Sequence, residues 1–215
     1  MGTLILVRHG QSQWNVENKF TGWTDVPLTA QGDKDSKLTG ASLKDFTFDL
    51  AFASRLQRSQ KTLGNILAAS GQQGIPTEYD SALNERHYGD LQGLDKAETV
   101  IKYGEEQVRL WRRSYDVPPP NGESIEDCVR RTLPYFKQYI LPHVAAGKTV
   151  IVAAHGNSLR PIMMFLDSLG KEETAAMEIP LCVPYQYTFE GEKVIKKVVR
   201  EVPGMEVKGT VKITK

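Results

Sequence analysis

Three short apolar runs, each stopping at a polar cluster, constrain this chain more than any other feature. Thr3-Leu-Ile-Leu-Val7 breaks at Arg8-His9-Gly10, Leu50 to Ala53 breaks at Ser54-Arg55, and Thr149 to Ala154 breaks at His155-Gly156-Asn157. Runs this short and this rich in branched residues read as strands covered on both faces, the pattern of a parallel sheet. Helical stretches lie between them. Gln57 to Ser70 carries Leu63, Ile66 and Leu67, and Ser124 to Leu141 sets Ile125, Val129, Leu133, Phe136 and Ile140 on one stripe. Strands alternating with helices predict βαβ units, hence an α/β fold with a mostly parallel central sheet and helices on both faces. Tyr185 to Phe189 and Val194 to Val199 flank Glu190-Gly-Glu192, which predicts an antiparallel hairpin on the sheet edge. Ser124-Ile-Glu-Asp127 has the spacing of a capping box with Asp in place of Glu, and Pro134 inside the stripe predicts a kink.

Size and charge narrow the function classes. At 215 residues and 40% hydrophobic, the chain suits one domain over 1–215. Its 27 Lys and Arg against 26 Asp and Glu leave a net charge of +1, so no global field favours nucleic acid or an anionic membrane as partner. No apolar run approaches the roughly 20 residues of a membrane span, and the start carries no cleavage signal. A cytoplasmic protein is expected. Cys128 and Cys182 lack C-x-x-C spacing and read as reduced bystanders. Neither G-x-G-x-x-G nor a P-loop pattern supports nucleotide binding, and the proline run Val117 to Gly122 is a loop.

Open α/β sheets bind ligands beyond the carboxyl ends of their strands, where His9 and His155 emerge. Each is followed by glycine, expected to let the backbone turn sharply and a ligand approach closely. His87 and His143 read instead as ordinary hydrogen-bonding side chains. Two histidines at neighbouring strand ends admit two chemistries. For a metal site, no H-x-x-x-H, H-x-x-E-H or aspartate-rich segment completes a ligand set. For phosphate, one imidazole would be the nucleophile and the other a donor to the transferring oxygens. Arg8, Arg55 and Arg58 beside strand ends, and Arg112-Arg113 before the proline loop, favour phosphate, because a guanidinium fork matches phosphate or carboxylate bidentately. The hydroxyl proton also needs a carrier. Glu85, in Leu83-Asn-Glu-Arg-His-Tyr-Gly89, is the candidate, although by composition the segment is only a charged loop.

Arg8-His-Gly-Gln-Ser-Gln-Trp-Asn15 resembles the RHG signature of the histidine phosphatase superfamily. Phe20-Thr-Gly-Trp23, Leu83-Asn-Glu-Arg-His-Tyr-Gly-Asp-Leu-Gln-Gly-Leu94, Trp111-Arg-Arg113 and Ala154-His-Gly-Asn-Ser-Leu-Arg160, in that order, resemble its 2,3-bisphosphoglycerate-dependent phosphoglycerate mutase branch. The resemblance covers nearly the whole chain. It implies a phosphoglycerate mutase-like fold and metal-independent interconversion of 3-phosphoglycerate and 2-phosphoglycerate in glycolysis and gluconeogenesis, primed by 2,3-bisphosphoglycerate. It further implies His9 as the phosphohistidine, Glu85 as proton donor and acceptor, and His155 as stabiliser of the transferring group. Arg8 and Arg58 would hold phosphate beside Asn15, Gly156 and Asn157. Thr21, Gly22, Arg86, Tyr88, Lys96, Arg112 and Arg113 would hold the rest of the substrate, including its carboxylate. The alternative is a histidine phosphatase acting on small phosphorylated metabolites, which has no evident need for the set Lys96, Arg112, Arg113 and Asn15. A third reading, an inert anion-binding scaffold, sits badly with two retained histidines.

Three departures from the branch stand out. Pro118 to Glu123 runs almost directly into Ser124, where many members carry a longer segment near subunit contacts and the site's rim, so monomer and homodimer both stay open. Leu181-Cys182 stand where the family usually has Thr-Gly. The tail after Val202 has no clear counterpart of the longer members' C-terminal segment. The short loop and the tail imply more side phosphatase activity.

Overall fold

In the computed structural model, which describes residues 1–206, the first apolar run becomes strand β1 (Gly2–Arg8), with Leu4 and Leu6 turned into one core and Ile5 and Val7 into another. An unbroken apolar run is what a strand covered on both faces requires. Five more strands join it: β2 (Leu50–Ala53), β3 (Thr77–Tyr79), β4 (Thr149–Ala154), β5 (Pro184–Glu190) and β6 (Lys193–Val199). The order is β3-β2-β4-β1-β5-β6. The first four strands in this order run parallel, β5 pairs antiparallel with β1, and β6 closes the expected hairpin. Edge strand β3, Thr-Glu-Tyr, has no apolar run to announce it. The expectation about the tail beyond residue 206 lies outside the described residues.

The helices follow in chain order: α1 (Gln13–Val16), α2 (Ala30–Ser42), α3 (Gln57–Ala69), α4 (Lys96–Tyr103), α5 (Glu105–Arg113), α6 (Ile125–Tyr135), α7 (Leu141–Ala145), α8 (Gly156–Asp167) and α9 (Lys171–Ala176). The capping box forms as expected: Ser124 Oγ accepts from the Asp127 N–H at 3.0 Å, and Asp127 Oδ2 accepts from the Ser124 N–H at 2.9 Å. Pro134 does more than kink the stripe. It has no N–H for the carbonyl four residues back, and α6 closes one residue later, passing through a π-helical turn at Phe136–Ile140 before α7. The wider turn keeps Phe136 and Ile140 buried. Helix α2 lacks an apolar stripe altogether. It buries Gly32, Ser36, Thr39 and Gly40, and a Cβ on Gly40 would strike the Ile66 carbonyl, so α2 and α3 meet backbone to backbone.

Beside the two cores that sandwich the sheet, a smaller cluster of Phe20, Leu91, Val108 and Trp111 supports α5. Cys128 and Cys182 are both free and buried. Among the described residues no helix is long and apolar enough to cross a membrane.

Candidate active site

Strands β1 and β4 are neighbours with Arg8 opposite Ala154, so His9 and His155 leave the sheet side by side. Their ring centroids are 4.9 Å apart, close to the spacing of adjacent strands at about 4.8 Å. His9 Nδ1 lies 2.7 Å from the Gly10 carbonyl. A carbonyl only accepts, so Nδ1 carries the proton and Nε2 keeps its lone pair. Burial, then the charges of Arg58 and Arg8, hold His9 well below the ordinary histidine pKa. Burial, Arg58, His9 and Arg8 do the same to His155. Both imidazoles are therefore neutral. The Gly10 turn is not the reason for its glycine: a Cβ there would sit 2.6 Å from the Gly32 carbonyl, so the requirement is close packing on α2. At Gly156 a Cβ would come no nearer than 3.7 Å to anything, its neighbour being the Arg8 guanidinium, so its bareness leaves room over the site.

Two arginines reach the histidines without an acidic partner. Arg58, fully buried on α3, donates to the Thr24 carbonyl at 3.0 Å and the Gly22 carbonyl at 2.7 Å. Burial lowers its pKa to about 10. Arg8 donates to the Ile179 carbonyl at 2.8 Å. The Nε of each is buried without a partner, and among the described residues neither forms a salt bridge. Orphaned buried donors are costly, and an anion would satisfy them. Glu85 Oε1 accepts from the Arg86 N–H at 2.8 Å and the Asn157 N–H at 3.0 Å. Burial pushes its pKa up, but the Arg86 N–H, Arg8 and Arg58 outweigh burial and hold the carboxyl below its ordinary value. The donor atoms of His9, Glu85 and His155 lie within 4.8 Å of one another, within reach of a single metal ion. Arg8 and Arg58 oppose a cation there and suit an anion.

Several supporting residues escape a reading of the sequence. Arg131 forms a fork on Glu123, Nε to Oε1 at 2.8 Å and Nη2 to Oε2 at 2.9 Å, and donates to the carbonyls of Ala82, Asn84 and Glu85. Glu123 also accepts from the His87 N–H at 2.8 Å, and Trp23 Nε1 donates to the Glu85 carbonyl. The shortened loop is thus clamped to the segment carrying Glu85. Arg160 donates to Asn157 Oδ1 and the Met177 carbonyl, which turns the Asn157 amide toward the Tyr88 hydroxyl. A charge one turn beyond buried Cys128, on the inner face of α6, was the available signal for Arg131.

Toward solvent the site opens into two joined cavities sharing Arg8, Asn15 and Glu85. The smaller, about 60 Å³, takes in His9, Thr21, Gly22, Arg58, Tyr88 and Lys96. The larger, about 310 Å³, takes in Arg113, Gly156, Asn157, Arg160, Glu178 and Leu181. Ser12 donates to Asn15 Oδ1 from both its N–H and its hydroxyl, leaving the Asn15 amide N–H groups for the cavity. Arg113 pairs with Glu178 at 3.2 Å, the side chains 42% and 56% exposed. Arg86 and Arg112 line neither cavity. Arg86 packs behind Tyr88, its guanidinium 4.6 Å from the ring centre, and donates to the Tyr88 hydroxyl and the Arg112 carbonyl. His87 Nδ1 accepts from the Gly89 N–H, and His143 lies beside Lys148; both have local roles. Cys182 has φ +60°, in the left-handed region that favours glycine, and its N–H bonds the Arg8 carbonyl at 3.0 Å. A glycine there would relieve strain; burial pushes the Cys182 thiol up to about 12.

The family model of the histidine phosphatase superfamily (branch 1) matches residues 4–201. A 2,3-bisphosphoglycerate-dependent phosphoglycerate mutase of Rhizobium rhizogenes is 51% identical over 207 residues, covering 94% of this chain and 98% of its own. A second, 2,3-bisphosphoglycerate-dependent phosphoglycerate mutase 2 of Gloeobacter violaceus, is 50% identical over 198 residues, 92% and 90% of the two chains. Among solved structures, Bacillus stearothermophilus YhfR superposes with a TM-score of 0.79 at 25% identity, covering 89% of this chain and 93% of that one. With the paired strand-end histidines in place and this identity along nearly its full length, the chain belongs to the histidine phosphatase superfamily, in its 2,3-bisphosphoglycerate-dependent phosphoglycerate mutase family.

Proposed function

We propose that this chain interconverts 3-phosphoglycerate and 2-phosphoglycerate through a phosphohistidine on His9, primed by 2,3-bisphosphoglycerate. The observation that carries the reading is a cationic pocket running from buried, neutral His9 out to exposed Arg113, in a chain half identical to curated mutases. In the priming step His9 Nε2 attacks a phosphorus of bisphosphoglycerate, the P–O bond breaks, and the leaving oxygen takes a proton from Glu85. In the reverse sense a substrate hydroxyl attacks the phosphoryl group, the P–N bond breaks with its electron pair returning to Nε2, and Glu85 takes the hydroxyl proton. Glu85 begins ionised in the cationic field of Arg8 and Arg58. Binding of a phosphoryl dianion neutralises that field and lets the carboxyl take up a proton from solvent before priming; it gives this proton to the leaving oxygen and, ionised again, is ready to accept the one from the attacking hydroxyl.

Arg8, Arg58 and His155 would hold the transferring oxygens, with Asn15 and the Asn157 backbone beside them. Arg113 is assigned to the substrate's outer end and Lys96 to the inner cavity, with Thr21, Gly22 and Tyr88 along its wall; Arg112, which lines neither cavity, would act from behind, its carbonyl holding Arg86. Arg86, placed behind Tyr88, would act by holding that ring. The arginines supply the positive charge that a metal brings to other phosphoryl transfers. A phosphatase reading draws on one observation, the exposed rim at Arg113 and Glu178, since water competes for the phosphohistidine. Incubating the protein with 3-phosphoglycerate and a trace of 2,3-bisphosphoglycerate, while following 2-phosphoglycerate and free phosphate, separates the two. Primer-dependent 2-phosphoglycerate formation far outrunning phosphate release supports the mutase; dominant phosphate release supports the phosphatase.

A further inference from the structure

Ser54 stands at the end of β2 as His9 and His155 stand at the ends of β1 and β4, yet it has no part in the chemistry described so far. Its Oγ lies 2.7 Å from His155 Nε2 and accepts from the Leu56 N–H at 3.2 Å. The residue is fully buried. Among the described residues the acceptor within reach of its hydroxyl hydrogen is that ring nitrogen. A buried O–H left without an acceptor is costly, so Ser54 donates and Nε2 accepts. The proton of the neutral imidazole is then on Nδ1, which is buried and has no partner. Because β4 lies between β2 and β1, a ring edge turned to Ser54 leaves the opposite edge for the His9 side. The hydroxyl is itself held in place: the Ser54 N–H donates to Ser59 Oγ at 3.2 Å, and Ser59 donates to the Ala153 carbonyl at 2.7 Å, tying the end of β2 to β4.

We propose that Ser54 is a positioning residue that locks His155 in the Nδ1–H tautomer, so that His155 offers a donor to the transferring phosphoryl oxygens; this rests on the role given above to His155. The two histidines then carry their protons on the same ring atom but present opposite edges. His9, with Nδ1 spent on Gly10, shows a lone pair; His155, with Nε2 spent on Ser54, shows an N–H. Without Ser54 the ring is free to move its proton to Nε2, which would set a lone pair against the phosphoryl oxygens.

The test combines 15N NMR of the His155 ring nitrogens with single-turnover phosphorylation of His9 by 2,3-bisphosphoglycerate, in the native protein and the Ser54→Ala, Ser54→Thr and His155→Ala variants. The native spectrum should show a protonated Nδ1 and a bare, hydrogen-bonded Nε2. Ser54→Ala should lose that signature and phosphorylate His9 about 10- to 100-fold more slowly, the scale seen when an outer partner orienting a metal-bound histidine is removed, with the bisphosphoglycerate concentration for half-maximal labelling within about 2-fold. Ser54→Thr should restore both. A native Nε2–H would overturn the proposal whatever the variants do. So would a Ser54→Ala protein as fast as native beside a crippled His155→Ala. If His155→Ala is itself as fast as native, the reading of His155 falls first and Ser54 with it.

Discussion

The two ends of the pocket are built differently. At the inner end His9 and His155 hang from strand ends, Arg58 from α3 and Glu85 from the loop after Leu83, and all four are buried. At the outer end Arg112 and Arg113 sit in the last turn of α5, over the small cluster of Phe20, Leu91, Val108 and Trp111, and Arg113 reaches through solvent to Glu178. Among the described residues, buried Arg58 forms no salt bridge and meets Glu85 only through its field, whereas exposed Arg113 is directly paired. Buried charge acts strongly on its neighbours, which suits bond making and breaking; exposed paired charge is weak and exchangeable, which suits holding a substrate that must turn round and leave.

Substitutions can break or sharpen that contrast. His9→Ala should abolish turnover, on the order of 10⁵-fold, as removing a nucleophile does, and steady-state assay against the native protein measures it. Glu85→Gln should cost roughly 10²- to 10⁴-fold in kcat with KM little changed, the range for a lost proton carrier. At the other end, Arg113→Ala should raise KM for 3-phosphoglycerate about 10-fold and leave labelling of His9 by bisphosphoglycerate nearly intact. Equal losses in both would erase the distinction between the ends.

Acid should act on the inner end first. Burial and then Arg58 depress the pKa of both histidines, so kcat/KM should hold through the ordinary histidine range and fall only below it. Stability also falls with acid, but sooner. The unfolded chain takes up protons at the ordinary histidine value while the native histidines do not, so unfolding free energy should begin to drop as pH falls through that value; melting temperature followed between neutral and mildly acidic pH reads it. The smallest effect belongs to the rim: Glu178→Gln should lower KM by about 2-fold or less, since exposed ion pairs contribute little.

The inner end was legible in the sequence for a physical reason. A strand covered on both faces writes an unbroken apolar run, and the residue that stops it is placed at the sheet's carboxyl edge, so His9 and His155 could be set side by side from Thr3 to Val7 and Thr149 to Ala154 alone. The outer end was not. Lys96 entered only through the resemblance, and Arg112 and Arg113, readable as anion-binding charges, had no place in the fold, because nothing in their spacing says that α4 and α5 stand at the same pocket. Other features stayed hidden because they bury what usually lies outside. Helix α2 packs through Gly32, Ser36, Thr39 and Gly40, which leave no apolar period. Arg131 and Glu123 look like surface charges until the fold brings them against the carbonyls of Ala82, Asn84 and Glu85. Pro134 announced an irregularity, but a π-helical turn and a kink share the same cause, and sequence does not choose between them.

The most direct test is to load the protein with 2,3-bisphosphoglycerate labelled on phosphate, digest it under alkaline conditions that preserve phosphohistidine, and map the modified residue by mass spectrometry. One acid-labile phosphoryl group per chain, on His9, is expected. Label on any other residue, or turnover undiminished with no label at all, would contradict it.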